Sequence, residues 1–157
     1  TAPRAAAAGA PKQPGLPPPW SSVPVAGPGE RVLGVAERMV SERTIVRGSC
    51  YGYVSAVFAE AGYPPRRRER VFAGSTRGPY ADLSVIVPGD WLAIVNHPER
   101  DPVGTHSVIF VRWQDRARGE AVVVSYVGGG DERPGDIAVY DVTRTYRVTR
   151  ASDSAPP

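Results

Sequence analysis

The spacing of apolar and polar positions divides the chain into a helical first half and a β-rich second half. From Gly29 to about Glu42, Val32, Leu33, Ala36, Met39 and Val40 share one helical face, while Glu30, Arg31, Glu37 and Arg38 lie elsewhere. A short link, Arg43 to Gly48, leads to a second helix. There Cys50, Tyr53, Val54, Val57, Phe58 and Ala61 recur every three and four residues. Ser49 is a good N-cap for it, Gly62 closes it, and Pro64-Pro65 prevents it from continuing. Pro65-Arg66-Arg67-Arg68-Glu69-Arg70 reads as a solvated helical turn, or alternatively as a basic rim attracting an anionic substrate. Gly74 to Pro79 is turn-rich, and Pro88-Gly89-Asp90 is a strong turn signal. Strands are predicted at Trp91 to Asn96, Thr105 to Trp113, Ala121 to Val127, Ile137 to Val142 and Thr145 to Thr149. Helices first and strands second predict an α+β fold, with helices packed on one face of an antiparallel sheet of about five strands.

Composition narrows this picture. The chain has 157 residues, enough for one domain with a proper core. Ten of its 17 prolines lie in residues 1–28 and 152–157. Residues 1–28, with Ala5-Ala6-Ala7-Ala8 and Pro17-Pro18-Pro19, cannot bury enough apolar surface to fold and read as a linker or tether, from which Trp20 could dock onto the domain. A Pro-rich ligand for another domain is the alternative reading of that tract. Residues 29–151 are the predicted domain and 152–157 a frayed tail. The formal net charge is only +3, which does not argue for a nucleic-acid partner. No run of about 18 apolar residues is present to span a membrane. No signal peptide is recognisable in the chain, which begins at Thr1 without methionine. A monomer is expected.

The candidate chemistry centres on Cys50, the single cysteine. A thiol in the first turn of a helix faces free backbone N–H groups and the positive end of the helix dipole, which favours the thiolate. Its partner would be a histidine acting as base. His106 opens a strand and shares a face with Val108 and Phe110, so it could meet a helix N-terminus docked on that face. His97 sits in a proline-containing loop and is the weaker candidate. A buried core cysteine with an unrelated hydrogen-bonded histidine is the competing reading. Two His and one Cys without clustered ligands make no zinc site, and no cofactor is implied. Gly128-Gly129-Gly130 lacks the Lys-Ser/Thr of a phosphate loop and reads as a flexible lip of a cleft.

Order and spacing carry a resemblance. Ser49-Cys50-Tyr51-Gly52-Tyr53-Val54, then Pro65-Arg66, then Pro88-Gly89-Asp90-Trp91, then His106-Ser107-Val108-Ile109 resemble the motifs of the NlpC-type cell-wall peptidases, a papain-like family. The resemblance covers roughly residues 29 to 150. It implies a papain-like fold, a bacterial thiol peptidase cleaving an amide bond in peptidoglycan stem peptides, and a secreted, periplasmic or cell-envelope location. It implies Cys50 as nucleophile and His106 as base, with Ser125 nearest to the third, orienting position. Asp131 is an outside candidate for that role. Ser49 and Tyr51 stand where the family has Asp and Ser, and Tyr51 or Tyr53 would substitute for a missing upstream tyrosine in substrate binding. Other papain-like activities share the first half-reaction: a CHAP-type or toxin-like amidase, a deamidase or an acyltransferase. A non-catalytic cell-wall-binding module on the same scaffold is the reading from a different class.

Overall fold

A computed structural model describes residues 27–128 and 133–154. The expected linker up to Ala26, with Trp20, and also Gly129, Gly130 and Asp131, lie outside the described residues.

Helix α1 (Pro28–Ser41) starts with proline in its first turn, where a missing N–H costs nothing. It buries Val32, Leu33, Ala36 and Met39, the stripe its periodicity predicts. Helix α2 (Cys50–Glu60) buries Tyr53, Val54, Val57 and Phe58. It stops at Gly62, whose φ of 98° only glycine adopts readily, and the Tyr63 N–H donates back to the Phe58 carbonyl at 2.8 Å. A 3-10 turn, Pro65–Arg67, follows.

Six strands form one antiparallel sheet: β1 (Arg68–Ala73), β2 (Trp91–His97), β3 (Gly104–Asp115), β4 (Glu120–Ser125), β5 (Asp136–Asp141) and β6 (Thr145–Ala151). Their order is β1-β6-β2-β3-β4-β5. Five of the six are the predicted strands. The sixth, β1, replaces the expected helical turn after Arg67. It is an edge strand with a register shift between Arg70 and Phe72, so its side chains lose the alternation that marks a strand.

The two sheet faces carry different covers. One face, with Trp91, Ile109, Val111, Val122 and Val124, packs against both helices. The other, with Leu92, Ile94, Val108, Phe110 and Val148, packs under Ala81, Leu83, Val85 and Ile86. The Pro88-Gly89-Asp90 turn ties these layers together. A Cβ on Gly89 would lie 2.6 Å from the Gly29 Cα, so two glycine backbones meet where α1 begins. Buried Asp90 accepts two hydrogen bonds from Arg150, both at 2.8 Å, and one from the Val87 N–H at 2.9 Å. The predicted tail begins as part of this body. Ser152 is buried, and Asp153 accepts hydrogen bonds from Arg31 and Tyr63.

Candidate active site

The cysteine is placed by its cap and by the chain that crosses it. Ser49 has extended backbone, and its Oγ accepts the Gly52 N–H at 3.2 Å. The link before it is pinned by Tyr126, whose hydroxyl donates to the Val46 carbonyl at 2.8 Å and accepts the Val46 N–H at 3.1 Å. Ser49 also forms an isolated antiparallel bridge with Gly128. Gly128 has φ 68°, and a Cβ there would meet the Gly48 carbonyl oxygen at 2.7 Å and the Ser49 Cα at 3.0 Å. Only glycine lets the chain leaving β4 lie this close to the start of α2. Cys50 is therefore held, half-buried, at the first helical position beyond the end of β4.

His106 is 9% exposed on β3. Ser125 on β4 pairs with Val108, so it is the diagonal neighbour of His106 on the same sheet face. Their side chains meet, with His106 Nε2 2.9 Å from Ser125 Oγ. Ser125 Oγ is in turn 3.2 Å from the Tyr140 hydroxyl, and the Tyr140 ring lies 5.3 Å from the imidazole, centroid to centroid. Burial dominates the electrostatics of this cluster. It lowers the His106 pKa to about 4, with a smaller contribution from His97, so the imidazole is neutral at pH 7. It also raises the Tyr140 phenol, which its Ser125 hydrogen bond pulls down and the nearby charge of Cys50 pushes further up. Tyr140 is a member that sequence reading missed. Alternation puts it on a face with Ala138 and the register sets it opposite Ala121, so only the folded path of its side chain brings the hydroxyl to Ser125.

The cysteine comes to this end of the sheet by a different route from the one expected. Helix α2 packs on the face of Ile109 and Val111, not on the face of His106, Val108 and Phe110. The expectation of a helix docked on the histidine's own face is corrected accordingly. What approaches the cluster is the helix N-terminus, held at the end of the sheet by the Ser49–Gly128 bridge three residues beyond Ser125. Among the described residues no hydrogen bond joins Cys50 to His106.

The flanking residues divide by burial. Ser49 is exposed, but its hydroxyl is engaged as the helix cap. Tyr51 is 54% exposed, with its ring edge-on to Trp91 at 4.9 Å. Tyr53 is fully buried and stacked on Tyr126 at 4.3 Å, and burial pushes its phenol up to about 12. It is a core residue, out of a substrate's reach, because its place on α2 points it at the sheet. His97 is buried at the end of β2, with Nδ1 3.2 Å from Glu99, and has no hydrogen bond to His106. A cavity of about 340 Å³ opens beside the cluster, lined by Ser125, Tyr140, Val127, Pro134 and Arg43 among others. Among the described residues no three His, Cys, Asp or Glu side chains group to hold a metal. Compared with protein-family models, curated proteins and solved structures, the chain matches none.

Proposed function

We propose that the protein is a papain-like cysteine hydrolase that cleaves an amide bond, with a peptidoglycan stem peptide as its substrate. The observation that carries this reading is the pairing of His106 with Ser125 at 2.9 Å, at the end of the sheet where the α2 N-terminus places Cys50. With Nε2–H donating to Ser125 Oγ, the lone pair of His106 lies on Nδ1, the nitrogen left for a thiol. At pH 7 this imidazole is neutral and Nδ1 can accept a proton, with burial making it a weaker base than an exposed histidine.

In the proposed reaction the Cys50 sulfur bonds to the amide carbon while its proton passes to His106 Nδ1. The Cys50 backbone N–H, at the helix start, donates to the oxyanion. His106 then returns the proton to the leaving nitrogen, the C–N bond breaks and a thioester remains. Water, deprotonated by His106, attacks the thioester and releases the acid and the thiol. Ser125 orients the imidazole without charge, and Tyr140 holds Ser125.

One observation favours the second reading, a non-catalytic module on the same scaffold. Cys50 and His106 are not hydrogen-bonded to each other among the described residues. Digestion of purified peptidoglycan, followed by mass spectrometry of the soluble products, separates the two. The hydrolase reading expects new amino termini from the wild type and none from Cys50→Ala with its fold intact. Equal digestion by both proteins would sink Cys50 as nucleophile. Binding without products from either protein would establish the module.

A further inference from the structure

The arginines on the opposite side of Tyr51 have no carboxylate partner among the described residues. A groove of about 290 Å³ lies there on the helix-side face of β1, β6 and β2, lined by Tyr51, Arg68, Arg70, Trp91, Arg147 and Thr149 among others. The strand register explains the convergence. Arg70 pairs with Thr149 and Thr149 with Trp91, so the three stand in a row across the sheet, with Arg147 two residues along β6. Neither helix covers this corner.

Three arginines and the Trp91 ring therefore line one groove. Among the described residues none of Arg68, Arg70 and Arg147 is paired with a carboxylate. Arg67, of the same run, lies 3.6 Å from the Asp153 carboxylate instead. Arg68 is the fixed member. Its guanidinium lies over the Phe58 and Trp91 rings at 5.5 and 5.7 Å, and it donates to the Tyr63 carbonyl and to Ser55 Oγ and carbonyl at 2.7, 3.2 and 3.1 Å. All three of those acceptors are neutral, so its charge is uncompensated although burial lowers its pKa. Trp91 is 5% exposed, and its indole N–H has no hydrogen-bond partner. A buried donor left unmade costs free energy, and a half-buried cation without a counter-charge does too. A planar oxyanion supplies the counter-charge that the arginines lack, since guanidinium forks bind carboxylate and phosphate two oxygens at a time.

We propose that this groove is a binding site for an oxyanion, a carboxylate or a phosphate, carried by the ligand. Its wall is Tyr51, the residue after the thiol, so a ligand seated here extends toward the α2 N-terminus. Its volume of about 290 Å³ suits a small anionic ligand and not a strand of nucleic acid. The site stands apart from the chemistry of Cys50, and Cys50→Ala is expected to bind equally well, so failure here is distinguishable from failure of the hydrolase reading.

The test is a titration of the full chain with glutarate and, separately, with inorganic phosphate at constant ionic strength set by chloride. The readout is the Trp91 indole N–H resonance. A saturable shift with either probe is expected, the stronger probe identifying the anion. Arg70→Gln with Arg147→Gln is expected to weaken binding at least tenfold, while the exposed Arg77→Gln leaves it unchanged. Both rim arginines are at the surface, and an otherwise unaltered spectrum reports an intact fold. An unmoved Trp91 resonance, an equal shift with chloride alone, or full binding by the double variant would each overturn the proposal.

Discussion

His106 sits where its imidazole is deprived of water, and that decides which proton it can carry. At pH 7 it is neutral, since burial holds its pKa at about 4. Neither Ser125 nor Tyr140 brings a negative charge that would favour the imidazolium. If His106 is the base, the acid limb of kcat/KM falls near pH 4 and not near the usual histidine value of about 6.5. The same shift links to stability. The unfolded chain takes up a proton between about pH 6.5 and about 4 that the folded chain refuses. Stability from the neutral histidine is complete above that window and is lost as pH falls through it, by about 3 kcal/mol. Urea unfolding at pH 7 and pH 4.5, with His106→Gln as reference, checks the sign. A variant that loses as much stability as the wild type between the two pH values would remove His106 as the cause.

At the scale of elements, the decisive join is between the end of β4 and the start of α2. Gly128 makes it possible, with a left-handed backbone and no side chain against Gly48 and Ser49. Gly128→Ala forces both strain and a clash with backbone that cannot turn aside. It is expected to cost about 1–3 kcal/mol and to move the thiol away from the cluster. Thermal unfolding together with the rate of Cys50 alkylation measures the two effects, and an unchanged melting temperature would mean that the bridge is incidental. This join was only partly legible in the sequence. Ser49 as cap and Cys50 as first helical residue follow from local pattern, because capping is a contact between residues three apart. That Gly128 would be the residue crossing Ser49, and not a flexible lip, depends on where a distant strand ends. Strand β1 was hidden for a related reason. Its charges and its bulge are tolerated on an edge, and edge position is a property of the assembled sheet.

At the scale of the whole molecule, the sheet carries a packed layer on each face, and Asp90 with Arg150 ties the turn at α1 to the last strand. Asp90 has 1% of its side chain exposed, and it anchors the turn that meets α1 to the last strand. Burial pushes its carboxyl up, while the Arg150 guanidinium and the Val87 N–H pull it back. Asp90→Ala leaves Arg150 without its partner and the Val87 N–H without its acceptor. The expected loss is about 3 kcal/mol, read as a lower urea midpoint. A loss below about 0.5 kcal/mol would show that the pair is dispensable.

What the sequence by itself determined is local. It set the two helices and their buried stripes, the cap of the second, five of the strands, the turn at Pro88-Gly89-Asp90, and the placement of the lone thiol at a helix start. Each rests on contacts within a few residues along the chain, where periodicity and turn chemistry act. It also placed His106 and Ser125 on faces of strands, but not which face would be covered by what. Only the tertiary structure decided that the helices take the face of Ile109, that Tyr140 joins Ser125, that Tyr53 is core, and that three arginines from two strands converge beside Tyr51. Those outcomes depend on strand order and register between residues tens of positions apart. Such pairings are chosen by the burial of the whole sheet at once, and no local pattern encodes them.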